Sequence, residues 1–590
     1  MVGLGAQWRC FRFTQLLSGI ALGLALALAP VAAPAQEVPR NETLIMDSTL
    51  ERIATPENYN PFLPTTTLQG GLHQVAFESL FYLNLETGEL QPWQAESYAF
   101  NASFDEVTIK LRDGIKWSDG VDFTSEDVVF TLNMLKENSA NLGNWGGNAK
   151  TWVKDVVAVD PKTVRITLTA TNPSYVVNTF GSRVYWTNQI VPRHIWEGQD
   201  PATFTNFDLE KGWPVSTSPY QLVAASNQET IWDRRASWWG ADTGFAKMPA
   251  PARVIFTSAG NEERRTAMLI NNELDTAYAI GKNSFESVHA RNPKVVTWFP
   301  EMPYAYTDAG PRIIGFNNAI PPFDNALVRR AVSRAVNRDA IVDIAWEGMS
   351  RPIKFPAPSL AALAPFFEGT EDLFAQYPNT EFDPEATAAL MTEAGYAKDA
   401  GGFWADASGT RLIIDLIGRQ TEADSAKAAP VVTELLRRAG FDAQFRLTDS
   451  AGFADAVFLG KANIWLAQIN GAVNNPYPSF DMFHSRHAAA IGSSATGSYS
   501  RFANPEYDAI VEEMGKLAID DPKLKEQVRK ALAIWLRELP VAPTTDSALL
   551  ASYNHTYWTN WPTSDNPYFQ PCFWWASALV SIVAIEPAAQ

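Results

Sequence analysis

Residues 111–132 read LRDGIKWSDGVDFTSEDVVFTL, and the fold class follows from how this stretch divides. The segment EVTIKLRDGIKW (106–117) alternates apolar and polar residues, the period of a strand with one buried face. Asp119-Gly120 marks a turn. Thr124, followed three residues later by Asp127, is a capping-box pattern, and Val128, Leu132 and Leu135 then share one helical face. Strand, turn and helix succeed one another, and the mixture recurs along the chain. TLIMDS after Arg40 and TVRITL (163–168) read as strands. A helix begins near Asp324, with Val328, Ala331, Val332, Ala335 and Val336 as its apolar stripe. Another has Asp383 as N-cap, Pro384 at the first position and Gly395 closing it. LIIDLIG is a strand, and VVTELLRRAGF a helix ending at Gly440. Helices and strands mixed throughout point to an α/β protein.

At 590 residues the chain is too long for one hydrophobic core, so two or more domains are expected. No repeat of 20–50 residues marks a solenoid or propeller. The first 35 residues have the pattern of an export signal. Arg9 and Arg12 precede an apolar run at 16–29, and Ala33-Pro34-Ala35 supplies small residues for cleavage after about Ala35. The run is short for a spanning helix, which needs about 20 residues, so an uncleaved anchor is the lesser alternative. No cysteine follows it, which disfavours a lipoprotein. The net charge is −18, and the signal holds two arginines and no acid, which leaves −20 on the rest. That balance argues against nucleic acid and against anionic membrane surfaces as partners. Cys10 lies in the signal, leaving Cys572 alone and no disulfide within the mature chain.

Three segments, LRDGIKWSDGVDFTSEDVVFTL, FNNAIPPFDNALVRRAVSRAVNRDAI (316–341) and FDPEATAALMTEAGY (382–396), occur in this order at wide spacing. Together they resemble the hallmark segments of the family 5 extracellular solute-binding proteins, the oligopeptide- and dipeptide-binding cluster. The resemblance implies a two-lobed periplasmic binding protein (type II, cluster C) with an extra inserted domain. It places lobe one at 36–60, 180–308 and 541–590, the inserted domain at 61–179 and lobe two at 309–540. Chain crossings near 308 and 540 would form the hinge. The implied role is the periplasmic component of an ABC importer, a monomer that passes its ligand to membrane permease subunits. No cofactor is implied.

Peptide binders of this family share a Trp followed three residues later by an Asp that pairs with the ligand's ammonium. The matching stretch is IWLAQINGAVNNPYPSF (464–480), with Trp465 in place but Gln468 where the acid would stand. A buried ammonium without a counter-ion costs several kcal/mol by order of magnitude. The neighbourhood offers amides and a ring instead: Gln468, Asn470, Asn474, Asn475 and Tyr477. Amides donate and accept together, as hydroxyls do, and flat rings cover the C–H faces of pyranoses. YWTNWPTSDNPY (557–568) is similar to the tail of the cellobiose- and chitobiose-type oligosaccharide binders, where a Trp stacks on a sugar. On that resemblance Trp558 or Trp561 is the platform, with Asn560 or Asn566 nearby. Of the adjacent Trp574 and Trp575, at least one is expected to pack in the core. Asn60 and Trp186, in aromatic-amide stretches at expected lobe edges, complete the candidates. The expected ligand is a β-linked oligosaccharide, with an oligopeptide as the alternative.

No nucleophile elbow, phosphate loop, dinucleotide fingerprint or His-Glu-x-x-His motif is present. His484 and His487 could share a helical face, but two histidines do not make a zinc site. A non-enzymatic binder is therefore expected. A secreted carbohydrate-active hydrolase is the remote alternative, since a carboxylate pair carries no linear signature.

Overall fold

The computed structural model describes residues 37–63, 66–182, 188–278 and 280–589, so the export-signal segment and Trp186 lie outside the described residues. A seven-stranded mixed sheet runs in the order Val295–Thr297, Ala551–Asn554, Thr276–Tyr278, Thr43–Asp47, Arg253–Thr257, Glu229–Arg234, Tyr220–Ala225. Its centre is the TLIMD strand, paired in parallel with Arg253–Thr257 from Thr43↔Arg253 to Asp47↔Thr257. Ala551–Asn554, from near the end of the chain, lies between two strands that are adjacent in sequence.

The second large sheet has five strands, ordered Asp442–Thr448, Ile413–Arg419, Ile464–Gln468, Arg312–Phe316, Val541–Pro543. Successive strand residues face opposite ways, and here both faces are covered. Ile313, Trp465, Ala467 and Val541 enter one core, while Ile314, Leu466, Ile464 and Ala542 enter the other. That is why these strands read as apolar runs without alternation. An antiparallel four-stranded sheet, Ala95–Phe100, Glu106–Leu111, Thr163–Leu168 and Val153–Asp160, stands apart from both.

The local signals act as expected. Asp127 accepts the Thr124 N–H at 2.9 Å and starts the helix Ser125–Glu137. Gly120 turns with φ +91°. Asp383 accepts the Ala386 N–H at 2.9 Å, starts Pro384–Glu393, and Gly395 follows with φ +89°. The stripe from Val328 to Val336 is buried but spans a break: one helix is Ala326–Arg334 and the next Arg338–Ala345. Asn337 causes the break, because its side chain accepts the N–H groups of Asp339 and Ala340 and so begins a new helix.

The chain passes between the large sheets at 306–312 and returns at 543–551. The two passages pair as a short antiparallel ribbon, Tyr306–Asp308 against Ser547–Leu549, with Tyr306↔Leu549 and Asp308↔Ser547 opposite each other.

The aromatic tail closes the first core and does not present open rings. Trp561 is 2% exposed, stacks on Tyr553 at 4.7 Å between ring centroids, and donates its indole N–H to the Trp558 carbonyl at 3.1 Å. Trp558 is buried with its N–H directed at the Thr43 carbonyl, 3.4 Å away. One or the other was expected as the sugar platform; in this conformation neither has a free face, because the loop folds back onto the seven-stranded sheet. Asn560 and Asn566 bond to each other at 2.9 Å. Trp574 stacks on Tyr278 at 4.2 Å, and Trp575 is buried beside it.

Trp561→Ala is accordingly expected to destabilise the fold by about 3–5 kcal/mol, the cost of emptying a large core site, read as a lowered denaturation midpoint. A second test concerns Glu78, a buried carboxylate that accepts the indole N–H of Trp93 at 2.9 Å and of Trp239 at 2.7 Å. Burial pushes its carboxyl up to about 7, against the pull of these hydrogen bonds. A folded value above the unfolded one means that the stability it contributes is complete at low pH and is lost as pH rises through about 7. The stability gap between the native protein and Glu78→Gln should shrink by roughly 3 kcal/mol between pH 4 and pH 8, as urea denaturation at several pH values would show.

Candidate ligand-binding site

The strand Ile464–Gln468 delivers the expected binding stretch to the carboxyl-terminal edge of the second sheet, where ligands bind in open α/β sheets. Trp465 does not reach that edge. It is fully buried and lies over Gly315, its partner on the neighbouring strand, so closely that a β-carbon there would fall inside the ring. Its expected ligand contact gives way to a packing role in this conformation.

Gln468 is half-buried at the strand's end, and its Nε2 donates to Asp308 Oδ2 at 2.8 Å. Gly310 makes room for this amide, since a β-carbon at Gly310 would overlap it. The position therefore has a carboxylate beside it after all, brought from the ribbon 160 residues earlier. Burial raises the Asp308 carboxyl, while Arg312 and Gln468 oppose the rise. Arg312 stands 3.5 Å from Glu422, which also pairs with Arg419 at 2.9 Å. Two guanidinium groups, two carboxylates and one amide thus share this edge. Glu86 and Asp308 both neighbour Cys572, whose thiol burial pushes far above its ordinary range.

Beyond the strand, Asn470 is exposed. Asn474 donates to the Gly88 carbonyl at 2.9 Å and Asn475 to Ser174 Oγ at 3.1 Å. Both line a cavity of about 350 Å³ between the 473–478 loop and the edge of the four-stranded sheet. Its other walls include Tyr98, Phe100 and Phe104, which pack edge-on or tilted against one another, together with Asn178, Val177 and Ile519. Rings and amides together make it an amphipathic slot of the size of a single sugar ring or large side chain.

Two other candidates are bonded to protein groups in this structure. The Tyr477 hydroxyl donates to Asp481 at 3.0 Å and accepts from Arg486 at 2.9 Å, with the ring against Gly515. Asn60 is buried, donates to the carbonyls of Pro201 and Phe204, and accepts the Phe62 N–H. His484 and His487 face carboxylates, Glu512 at 3.3 Å and Asp481 at 3.2 Å. Among the described residues no group of three His, Cys, Asp or Glu side chains is placed to hold a metal ion, and no helix is long and apolar enough to cross a membrane. Sequence reasoning missed Asp308, Arg312, Tyr98 and Phe100. The rings stand in an alternating strand, where a ligand wall and a packing face look alike; Asp308 has no linear link to Gln468.

Comparison with known proteins gives a consistent picture. Residues 89–490 match the model for bacterial extracellular solute-binding proteins, family 5, middle region. The glutathione-binding protein GsiB of Escherichia coli (strain K12) is 26% identical over 383 residues, 64% of this chain and 65% of that protein. The chain thus matches just under two-thirds of that relative's length. A crystal structure of the periplasmic oligopeptide-binding protein of an oligopeptide ABC transporter from Thermotoga maritima superposes with a TM-score of 0.82 at 25% identity, covering 93% of this chain and 99% of that one. Its mannohexaose-bound form gives 0.76 at 24% identity, covering 94% and 100%. The oligopeptide-binding protein AppA of Bacillus subtilis, in complex with a nonapeptide, gives 0.69 at 16%, covering 93% and 99%. The fold is the two-lobed α/β fold of periplasmic binding proteins, and the chain belongs to the bacterial extracellular solute-binding proteins of family 5.

Proposed function

We propose that the protein is the exported substrate-binding component of an ABC importer that closes two lobes on a β-linked oligosaccharide and presents the closed form to a membrane permease. Lobe one is drawn from 36–60, 180–308 and the C-terminal segment, the inserted domain from 61–179, and lobe two from 309 onward. The strand membership of the three sheets supports this division. Val541–Pro543 pairs inside the second sheet, so we place the second crossing after it, at 544–550 rather than near 540. The ribbon Tyr306–Asp308/Ser547–Leu549 is then the hinge. A ligand that touches both lobes stabilises the closed state by its differential contacts.

The ring-and-amide slot at the seam carries the oligosaccharide reading. Tyr98, Phe100 and Phe104 offer apolar faces, and Asn178, Asn474 and Asn475 offer groups that donate and accept. A T. maritima protein of the same fold has been crystallised with mannohexaose. An oligopeptide is the second reading, favoured by one observation: Asp308 beside Gln468 restores a carboxylate where an ammonium would sit.

A thermal-shift screen of the mature protein against β-linked di- and trisaccharides and against di- to pentapeptides separates the two. A ligand at 100 times its Kd adds about 2.7 kcal/mol of stability. Shifts with sugars alone, with the sugar recovered intact, support the proposal. Shifts with peptides alone replace it with the second reading, and cleaved sugar would mean a hydrolase. Tyr98→Ala is expected to weaken the responding ligand about tenfold, or ~1.4 kcal/mol, the size of one ring contact. Unchanged affinity in a folded Tyr98→Ala protein would remove the slot from the binding site.

A further inference from the structure

We propose that Gly88, at the tip of the 84–89 turn, is the positioning residue of the closed state: the inserted domain and lobe one form a first body, and the tip is its rigid finger, seated between Ala362 and Asn474 of lobe two, the second body. The inference rests on the two-lobed reading above.

The finger is the turn of a hairpin in which Phe81–Leu83 pairs with Leu90–Pro92. Its shape is fixed internally. Asn84 Oδ1 accepts the Glu86 N–H at 2.9 Å, the Asn84 carbonyl accepts the Gly88 N–H at 2.8 Å, and the Asn84 N–H reaches the Glu89 carbonyl at 2.9 Å. Its root is fixed to the C-terminal tail. Asn84 Nδ2 donates to the Tyr568 carbonyl at 3.0 Å, and Gln570 both accepts the Leu85 N–H and donates to the Leu83 carbonyl at 3.1 Å. These bonds make the turn part of the first body and deny it independent motion.

At the tip, Gly88 meets Ala362 and Asn474 of segment 309–540. Gly88 has φ +72°, and its carbonyl accepts from Asn474 Nδ2 at 2.9 Å. A β-carbon at Gly88 would stand 2.7 Å from Ala362 Cβ and 3.1 Å from Asn474 Cβ. Glycine is thus required twice, once by the backbone and once by close approach to the other body. The second requirement exists only while the bodies are together, which makes the position a gauge of closure. The finger would set the closed-state population, and through it ligand affinity, from the rim of the slot.

The test uses the mature protein with Gly88→Cys and Ala362→Cys. Its one other cysteine, Cys572, is buried. The two β-carbons come within disulfide reach after a shift of about 1 Å. Mild oxidation joins the two thiols, with loss of both to titration and release of two electrons and two protons to the added oxidant. The expected result is an intramolecular cross-link in the absence of ligand, a smaller radius of gyration in the oxidised than in the reduced form by small-angle scattering, and recovery on reduction. No cross-link, in a protein whose radius still changes when the responding panel ligand or mannohexaose is added, overturns the finger and leaves the two-lobed reading standing. A radius identical in oxidised, reduced and ligand-treated samples overturns both. Because cysteine at φ +72° is strained, Asn474→Ala provides an independent arm with an unstrained backbone. It should enlarge the ligand-free radius by shifting the population towards the open form, and an unchanged radius counts against the proposal.

Discussion

Two three-residue strands carry the connection between the large sheets. Tyr306–Asp308 and Ser547–Leu549 pair with each other, and each lies in the chain between a strand of one large sheet and a strand of the other. The register of this ribbon ties the edge of one sheet to the edge of the other. It also delivers Asp308 to Gln468 and Ser547 to Arg312, at 2.8 and 3.3 Å. The polar edge of the second sheet is therefore built by the same few residues that link the bodies. A ligand that perturbs that edge acts on the connection itself, which is the physical coupling a binding protein needs between occupancy and shape.

Charge at this edge is nearly balanced. Arg312 and Arg419 face Asp308 and Glu422, all partly or wholly withdrawn from water. Buried ions persist only when paired, and removing one member leaves its neighbour uncompensated. The arrangement leaves no bare anion waiting for an ammonium group, although a carboxylate is present. The slot at the seam is built differently, from rings and amides that carry no net charge. The contrast between these two regions is what separates the sugar and peptide readings.

Elements defined by neighbours in sequence were legible from the start. Asp127 and Asp383 cap helices three residues away, and Gly120 and Gly395 supply left-handed backbone where short-range chemistry demands it. The two-helix break at Asn337 was concealed because the apolar stripe continues across it while the side chain redirects the backbone. The tryptophans were harder for a deeper reason. An indole that stacks on Tyr553 and one that stacks on a sugar ask for the same residue type, and only the partner distinguishes them. Trp465 is explained by Gly315, and Gln468 by Asp308, each about 150 residues away by chain. Pairings at that range are set by topology, and no local pattern encodes them.

The placement of Ala551–Asn554 inside the seven-stranded sheet governs the order of events as the chain folds. Until this strand arrives, Thr276–Tyr278 and Val295–Thr297 have no partner between them, and the sheet is left with a gap one strand away from its centre. Closing that gap joins residues more than 250 positions apart in the case of Thr276 and Tyr553. Such long-range closure is slow, because loop entropy must be lost before the contacts reward it. The first body thus stays incomplete until nearly all of the chain is available. A chain interrupted before that strand is made would leave Thr276–Tyr278 and Val295–Thr297 with open edges, the kind of unpaired edge that recruits other chains.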